Sequence, residues 1–172
     1  MTAGSESLAH QAVDARPSRF TGRYPGKVDA KGRIVVPPEF RAQLGKPELF
    51  LFPSLIEPVL QGGDERLVDD LLDALSGLDV YDEERWVLEE EITSGVMRLG
   101  IDDTGRASVP KDLRTHGGLE GSIAFAGRGQ HFILARTDYL DARREAARAA
   151  ALKNRETLKA RTLPSITARR TP

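Results

Sequence analysis

Three charged residues within five positions are the chain's best candidates for chemistry: Asp29, Lys31 and Arg33, set around Gly32. Lys and Arg carry fixed positive charge and N–H donors, which suit phosphate oxygens and base edges. An Asp four residues ahead of an Arg shapes a turn and closes it with a charge-assisted bond. Arg23, Lys27 and Arg41 add positive charge nearby. The stretch therefore reads as a cationic loop with Lys31 and Arg33 as its contacting groups. Asp29 and Gly32 read as structural, the glycine because it accepts positive φ.

The elements that must hold this loop are short. Ile34-Val35-Val36 is a β-branched run too brief for a helix, so it predicts a strand. Pro37 and Pro38 end it, and Glu39-Phe40-Arg41 opens a helix with proline near its first position and a carboxylate in its first turn. The unit recurs 73 positions later. Between Asp29–Gly45 and Asp102–Gly118, seven of seventeen positions are identical. Gly22, Val28 and Phe52 match Gly95, Ile101 and Phe125 at the same offset. A constant offset at matched residue types indicates two copies of one supersecondary unit. The second copy keeps Asp102, Gly105 and Arg106, so Asp102 and Gly105 are its structural turn residues. Asp103 and Thr104 replace Ala30 and Lys31, which lowers its positive potential.

This doubled Asp-x-x-Gly-Arg-apolar-x-apolar-Pro pattern resembles the MraZ family, whose members carry two tandem AbrB-like units. The resemblance runs from about Phe20 to Tyr139. It implies an α+β, mainly β fold: a tandem AbrB-like swapped-hairpin, double-psi-type barrel with a helical hairpin between the repeats. It also implies protomers joined into homo-oligomeric rings, and DNA contact through the Asp-x-x-x-Arg loops. Lys31 and Arg33 match that pattern, and Arg106 matches it in the second copy. The function implied is a sequence-specific DNA-binding regulator, acting as a repressor. The resemblance places its action at the promoter of the division and cell-wall gene cluster that contains its own gene. One strongly basic loop per chain leads to the expectation that an oligomer reads spaced direct repeats there, one loop per repeat. The expected partners are double-stranded DNA and further copies of the chain, in the cytoplasm and on the nucleoid.

Composition is compatible with this reading. The 172 residues are 40% hydrophobic and 30% charged, and there is no cysteine, which excludes disulfides and thiolate zinc sites. The first 18 residues lack an apolar run behind a basic start, so no secretory signal is expected. No stretch approaches the roughly 20 apolar residues of a membrane helix, so no membrane partner is expected. The formal net charge of -1 conceals segregation. Residues 19–46 hold seven Lys or Arg against two acids, residues 57–91 thirteen acids against two Arg, and residues 141–172 nine Lys or Arg against three acids. Local charge is what a polyanion meets.

Five segments follow in order: a disordered extension over 1–19, the first repeat over 20–63, a helical hairpin over 64–94, the second repeat over 95–138, and a basic helix and tail over 139–172. Asp64 caps the first hairpin helix, whose Leu67, Leu71, Leu75 and Leu78 share a face. Trp86, Leu88 and Ile92 are the apolar positions of the second. One repeat is too small to bury a core by itself, so the two are expected to interleave. The basic tail reads equally as a DNA-binding arm or a solvated helix.

Catalysis is not expected. His10, His116 and His131 have no ligand spacing. Gly127-Arg128-Gly129 lacks the following Lys-Ser/Thr and helix of a phosphate loop and reads as a hairpin turn. No catalytic residue, metal, cofactor or small-molecule substrate is expected. Two other functions fit the same residues: an AbrB-like antitoxin, and a ring or scaffold protein whose basic loops pair with a neighbour's acidic helices. Two fused units and a structured middle hairpin speak against the antitoxin.

Overall fold

A computed structural model describes residues 19–157. The extension before Arg19, with His10, and the tail from 158 onward lie outside the described residues. The elements are β1 (Arg23–Lys27), β2 (Arg33–Val35), α1 (Pro38–Leu44), β3 (Glu48–Pro53), β4 (Leu60–Gly63), α2 (Glu65–Ser76) and α3 (Glu83–Gly95). Then come β5 (Met97–Gly100), β6 (Arg106–Ser108), α4 (Lys111–Gly117), β7 (Ser122–Gly127), β8 (Phe132–Arg136) and α5 (Thr137–Lys153).

The α+β class is as expected. The strands form an antiparallel six-stranded sheet, ordered β1-β7-β8-β4-β3-β5, and a separate two-stranded ribbon of β2 and β6. The expected barrel does not close among the described residues. β1 and β5 are the edges of an open sheet, because β2 and β6 have three residues each and pair with one another. A single bridge, Val28 with Ile34, ties the ribbon to the strand before it.

Ladders between the two sequence repeats hold the fold together. β1 pairs with β7, β2 with β6, β3 with β5, and β4 with β8. Only β3–β4 and β7–β8 join strands of the same repeat. Both repeats accordingly share one core. Ile34, Val36, Phe40 and Leu51 from the first pack with Ala107, Val109, Leu113 and Phe125 from the second. Phe40 of α1 lies at the hub of this core. Its ring centroid is 5.3 Å from Phe20, 5.1 Å from Tyr24 and 5.0 Å from Phe132. Edge-on and tilted aromatic pairs at such spacings add stability beyond their buried area. This anchor sets where α1 points its next residue, Arg41.

The helical hairpin forms with both caps that its sequence supplies. Asp64 accepts from Arg66 N (3.1 Å) and Asp82 from Glu84 N (3.0 Å). Leu75 and Ile92 pack on Phe52 of β3, with Leu71 and Leu88 beside them. Trp86 departs from the expected stripe: it is 58% exposed, and its indole N–H donates to Val80 O. It is one of the helix's apolar positions in the sequence, but residues two apart on a helix face nearly opposite sides, and the helix rests on the sheet through Leu88 and Ile92. Leu140 seats the start of α5 on Ala124, Ile133 and Ala135. From Arg144 to Thr157 every residue is exposed.

Candidate nucleic-acid interface

The first turn is built by one carboxylate. Asp29 O accepts from Gly32 N (2.9 Å), and Asp29 N donates to Arg33 O (2.9 Å). Asp29 Oδ1 accepts from the backbone N–H groups of Lys31 and Arg33, both at 2.9 Å. Its other oxygen accepts from Arg33 Nε at 2.8 Å. These bonds, led by the Arg33 N–H, hold the Asp29 carboxyl below its ordinary value, against the opposing effect of burial. Gly32 completes the turn at φ 76°, a conformation that side chains with a Cβ avoid.

The second turn repeats this geometry. Asp102 O accepts from Gly105 N (2.8 Å), Asp102 N donates to Arg106 O (2.9 Å), and Oδ1 accepts from the N–H groups of Thr104 and Arg106. Gly105 has φ 80°. Two contacts differ. The Thr104 hydroxyl donates to Asp102 Oδ1 at 2.7 Å and is the main reason that carboxyl is held low. Among the described residues the Arg106 guanidinium makes no ion pair with Asp102, whereas Arg33 pairs with Asp29.

Because β2 and β6 run antiparallel, the turns lie at opposite ends of the ribbon, and each abuts the helix of the other repeat. Val109 N donates to Gly32 O (3.0 Å), and Val36 N donates to Gly105 O (2.9 Å). The helix arginines cross over with them. A Cβ built on Gly32 would lie 2.8 Å from Arg114 Cζ, and one built on Gly105 would lie 2.8 Å from Arg41 Cζ.

The residues singled out from sequence therefore separate. Lys31 is exposed and has no carboxylate partner among the described residues, and Lys27 is likewise exposed at the end of β1 next to the turn. Arg33 stands beside them, with a third of its side chain exposed. Arg23 lies elsewhere: it bonds Asp141 (2.6 Å) and Thr137 O (3.3 Å) and so fastens β1 to α5. Arg41 lies at the second turn instead of the first, in a hollow it shares with Asp102 and Asp103. Its Nε is buried without a hydrogen-bond partner. Arg114 and Lys111, absent from the sequence-based set, belong to the helix that abuts the first turn. The signal for Arg114 was its match to Arg41; what it lacked was the antiparallel crossing of the ribbon.

The remaining candidates stay apart from this surface. His116 Nε2 is 3.1 Å from Ser54 O, and burial lowers the pKa of His131, with Arg128 adding to the effect. No group of three or more His, Cys, Asp or Glu among the described residues could hold a metal ion. No described helix is long and apolar enough to cross a membrane.

No protein-family model matches the chain. It is 33% identical over 116 residues to a protein of Methylocella silvestris named Transcriptional regulator MraZ, an alignment spanning 66% of this chain and 71% of that one. Proteins of the same name from Gluconobacter oxydans and Rickettsia akari are 32% identical over 140 residues and 31% identical over 144 residues. Those alignments span 78% and 81% of this chain, and 85% and 96% of the relatives. The shared name describes regulation of transcription, a non-enzymatic role.

Proposed function

This chain belongs to the MraZ family of transcriptional regulators, and on that footing we propose that it grips promoter DNA through the turn Asp29–Arg33. The observation that carries this reading is the unpaired, exposed Lys31 beside a rigid Asp29 turn that also presents Arg33. A preorganised cation loses little freedom on meeting a phosphate, so more of its attraction survives as affinity. Lys27 supplies further positive charge beside the turn; Arg106 stands at the opposite end of the ribbon, and Arg23 and Arg41 act through the surrounding structure.

One such loop offers few phosphate contacts. We propose that several protomers act together on spaced direct repeats, one loop per repeat, so that affinity rises through effective concentration. Exposed Val80, Tyr81, Trp86 and Val87 on the α2–α3 hairpin support self-association, since large apolar side chains left in water favour burial against a partner. The ring, the swapped-hairpin barrel, the nucleoid location and repression of the division and cell-wall cluster are carried over from the family resemblance, and the five-segment division from the order of elements along the chain. The exchange of ladders between the repeats supports the barrel part of that reading.

A gel shift on DNA from upstream of the gene tests the proposal. Wild type is expected to bind, and Arg33→Ala to lose binding with its oligomeric mass unchanged. Failure of wild type to shift that DNA, with intact assembly, favours the scaffold. Release of DNA by a cognate toxin partner favours the antitoxin.

A further inference from the structure

We infer that the DNA-contacting surface at the first turn is composite: the second repeat completes it with Arg114 and Lys111, while the matching Arg41 at the second turn only positions. This rests on the reading of the first turn as the DNA-binding loop.

The geometry behind it is the crossing of the ribbon. The Arg114 guanidinium lies over Gly32, with Cζ and Nε both 2.8 Å from where a Cβ would stand. Its Nε donates to Val109 O at 3.1 Å, and Val109 N donates to Gly32 O at 3.0 Å. The guanidinium is thereby held against the backbone of the very turn that presents Lys31 and Arg33. Among the described residues no carboxylate pairs with Arg114, so its charge is not cancelled. Lys111 opens the same helix, is exposed and is also unpaired.

Charge separates the two ends of the ribbon. The first turn gathers Lys27, Lys31, Arg33, Lys111 and Arg114 against Asp29 and Asp112. At the matching places the second turn has Arg106 and Arg41 against Asp102, Asp103 and Glu39; Gly100, Thr104 and Pro38 replace its other cations. Five cations against two carboxylates attract a polyanion; two against three do not. Lys46 also lines the hollow at the second turn, so that end is near balance while the first is strongly positive, and each protomer offers one end that favours phosphate. A guanidinium fixed over a turn suits bidentate phosphate contact better than a mobile ammonium does.

The test measures DNA affinity against salt concentration for full-length protein on a duplex carrying the upstream promoter repeats. Each phosphate contact contributes about -0.9 to the slope of log K against log salt. Lys111→Gln and Arg114→Ala are each expected to flatten that slope by about 0.9 per protomer engaged, and Arg41→Ala to leave it unchanged. Lys111→Gln alters an exposed side chain that makes no ion pair, so it keeps the test valid if Arg114→Ala fails to fold. Unchanged slopes in Lys111→Gln and Arg114→Ala, with binding still lost in Arg33→Ala, overturn the composite surface and leave the proposed function standing. An equal loss of slope in Arg41→Ala overturns the asymmetry. Absence of binding by wild type overturns both readings.

Discussion

Arg41 of the first repeat lies flat against Gly105 of the second, so close that a Cβ on Gly105 would stand 2.8 Å from the guanidinium carbon. Arg114 and Gly32 repeat the relationship in reverse. The two turns are therefore locked by each other's repeat, and neither repeat can form its turn environment alone.

The lock makes Gly105→Ala destabilising for two reasons. The backbone sits at φ 80°, and the new methyl meets Arg41. A loss of about 1–3 kcal/mol is expected, read from urea unfolding midpoints. Gly45→Ala is the control: it shares positive φ, but nothing lies within 4 Å of its Cβ position. If the two variants unfold alike, the arginine contact adds nothing.

Phe40→Ala removes the hub of the aromatic core and the anchor of α1. A loss of about 3–5 kcal/mol is expected, with the near-ultraviolet circular dichroism of the core altered. A loss under about 1 kcal/mol would show that the neighbouring rings collapse to fill the site.

Lys31→Ala removes an exposed charge with no carboxylate partner among the described residues. Stability should stay within about 0.5 kcal/mol of wild type, while the salt dependence of DNA binding flattens by about 0.9 per engaged protomer. Unchanged salt dependence argues that Lys31 makes no phosphate contact.

Glu57 joins three parts of the chain. Arg143 Nε donates to its Oε1 (2.7 Å) and Arg128 to its Oε2 (2.9 Å), which fastens α5 and the β7–β8 turn to the loop between β3 and β4. Burial raises the Glu57 pKa, but the bonds from Arg143 and Arg128 outweigh it, so the folded value lies below the ordinary 4.5. A carboxyl lowered by folding stabilises above its unfolded pKa and loses that contribution as pH falls through the folded one. Asp29 and Asp102 are lowered in the same sense from 3.8. Stability should begin to decline as pH falls below 6.5, where His131, lowered by folding, is protonated more readily in the unfolded chain. It should decline further below pH 4.5, and Glu57→Gln should shrink only that second part. At neutral pH, Glu57→Ala is expected to lose about 1–3 kcal/mol, with α5 exchanging its amide hydrogens faster. An acid decline of equal size in Glu57→Gln would assign it wholly to other carboxyls.

DNA with a varied number of promoter repeats tests cooperation between protomers. Affinity is expected to rise by tenfold or more from one repeat to two, on the order of the gains from linked sites. Equal affinity for one repeat and several would mean that a single loop, or a single protomer, suffices.

The α+β class came with the family resemblance; from residue types and spacing alone came the duplication at an offset of 73, both Asp–Gly–Arg turns and the Asp64 cap. These are readable because their causes are local: an Asp bonds amides two and four residues on, and a glycine takes positive φ wherever it stands. Spacing could not say which helix meets which turn. That follows from β2 pairing antiparallel with β6, a contact between residues more than 70 apart. The pairing sends Arg41 to the second turn and Arg114 to the first, and leaves the sheet open at β1 and β5. Side-chain reach was equally out of view. Arg23 is spent on Asp141, and Trp86 faces outward, because the packing of α5 and the hairpin on the sheet is decided by all the surfaces together.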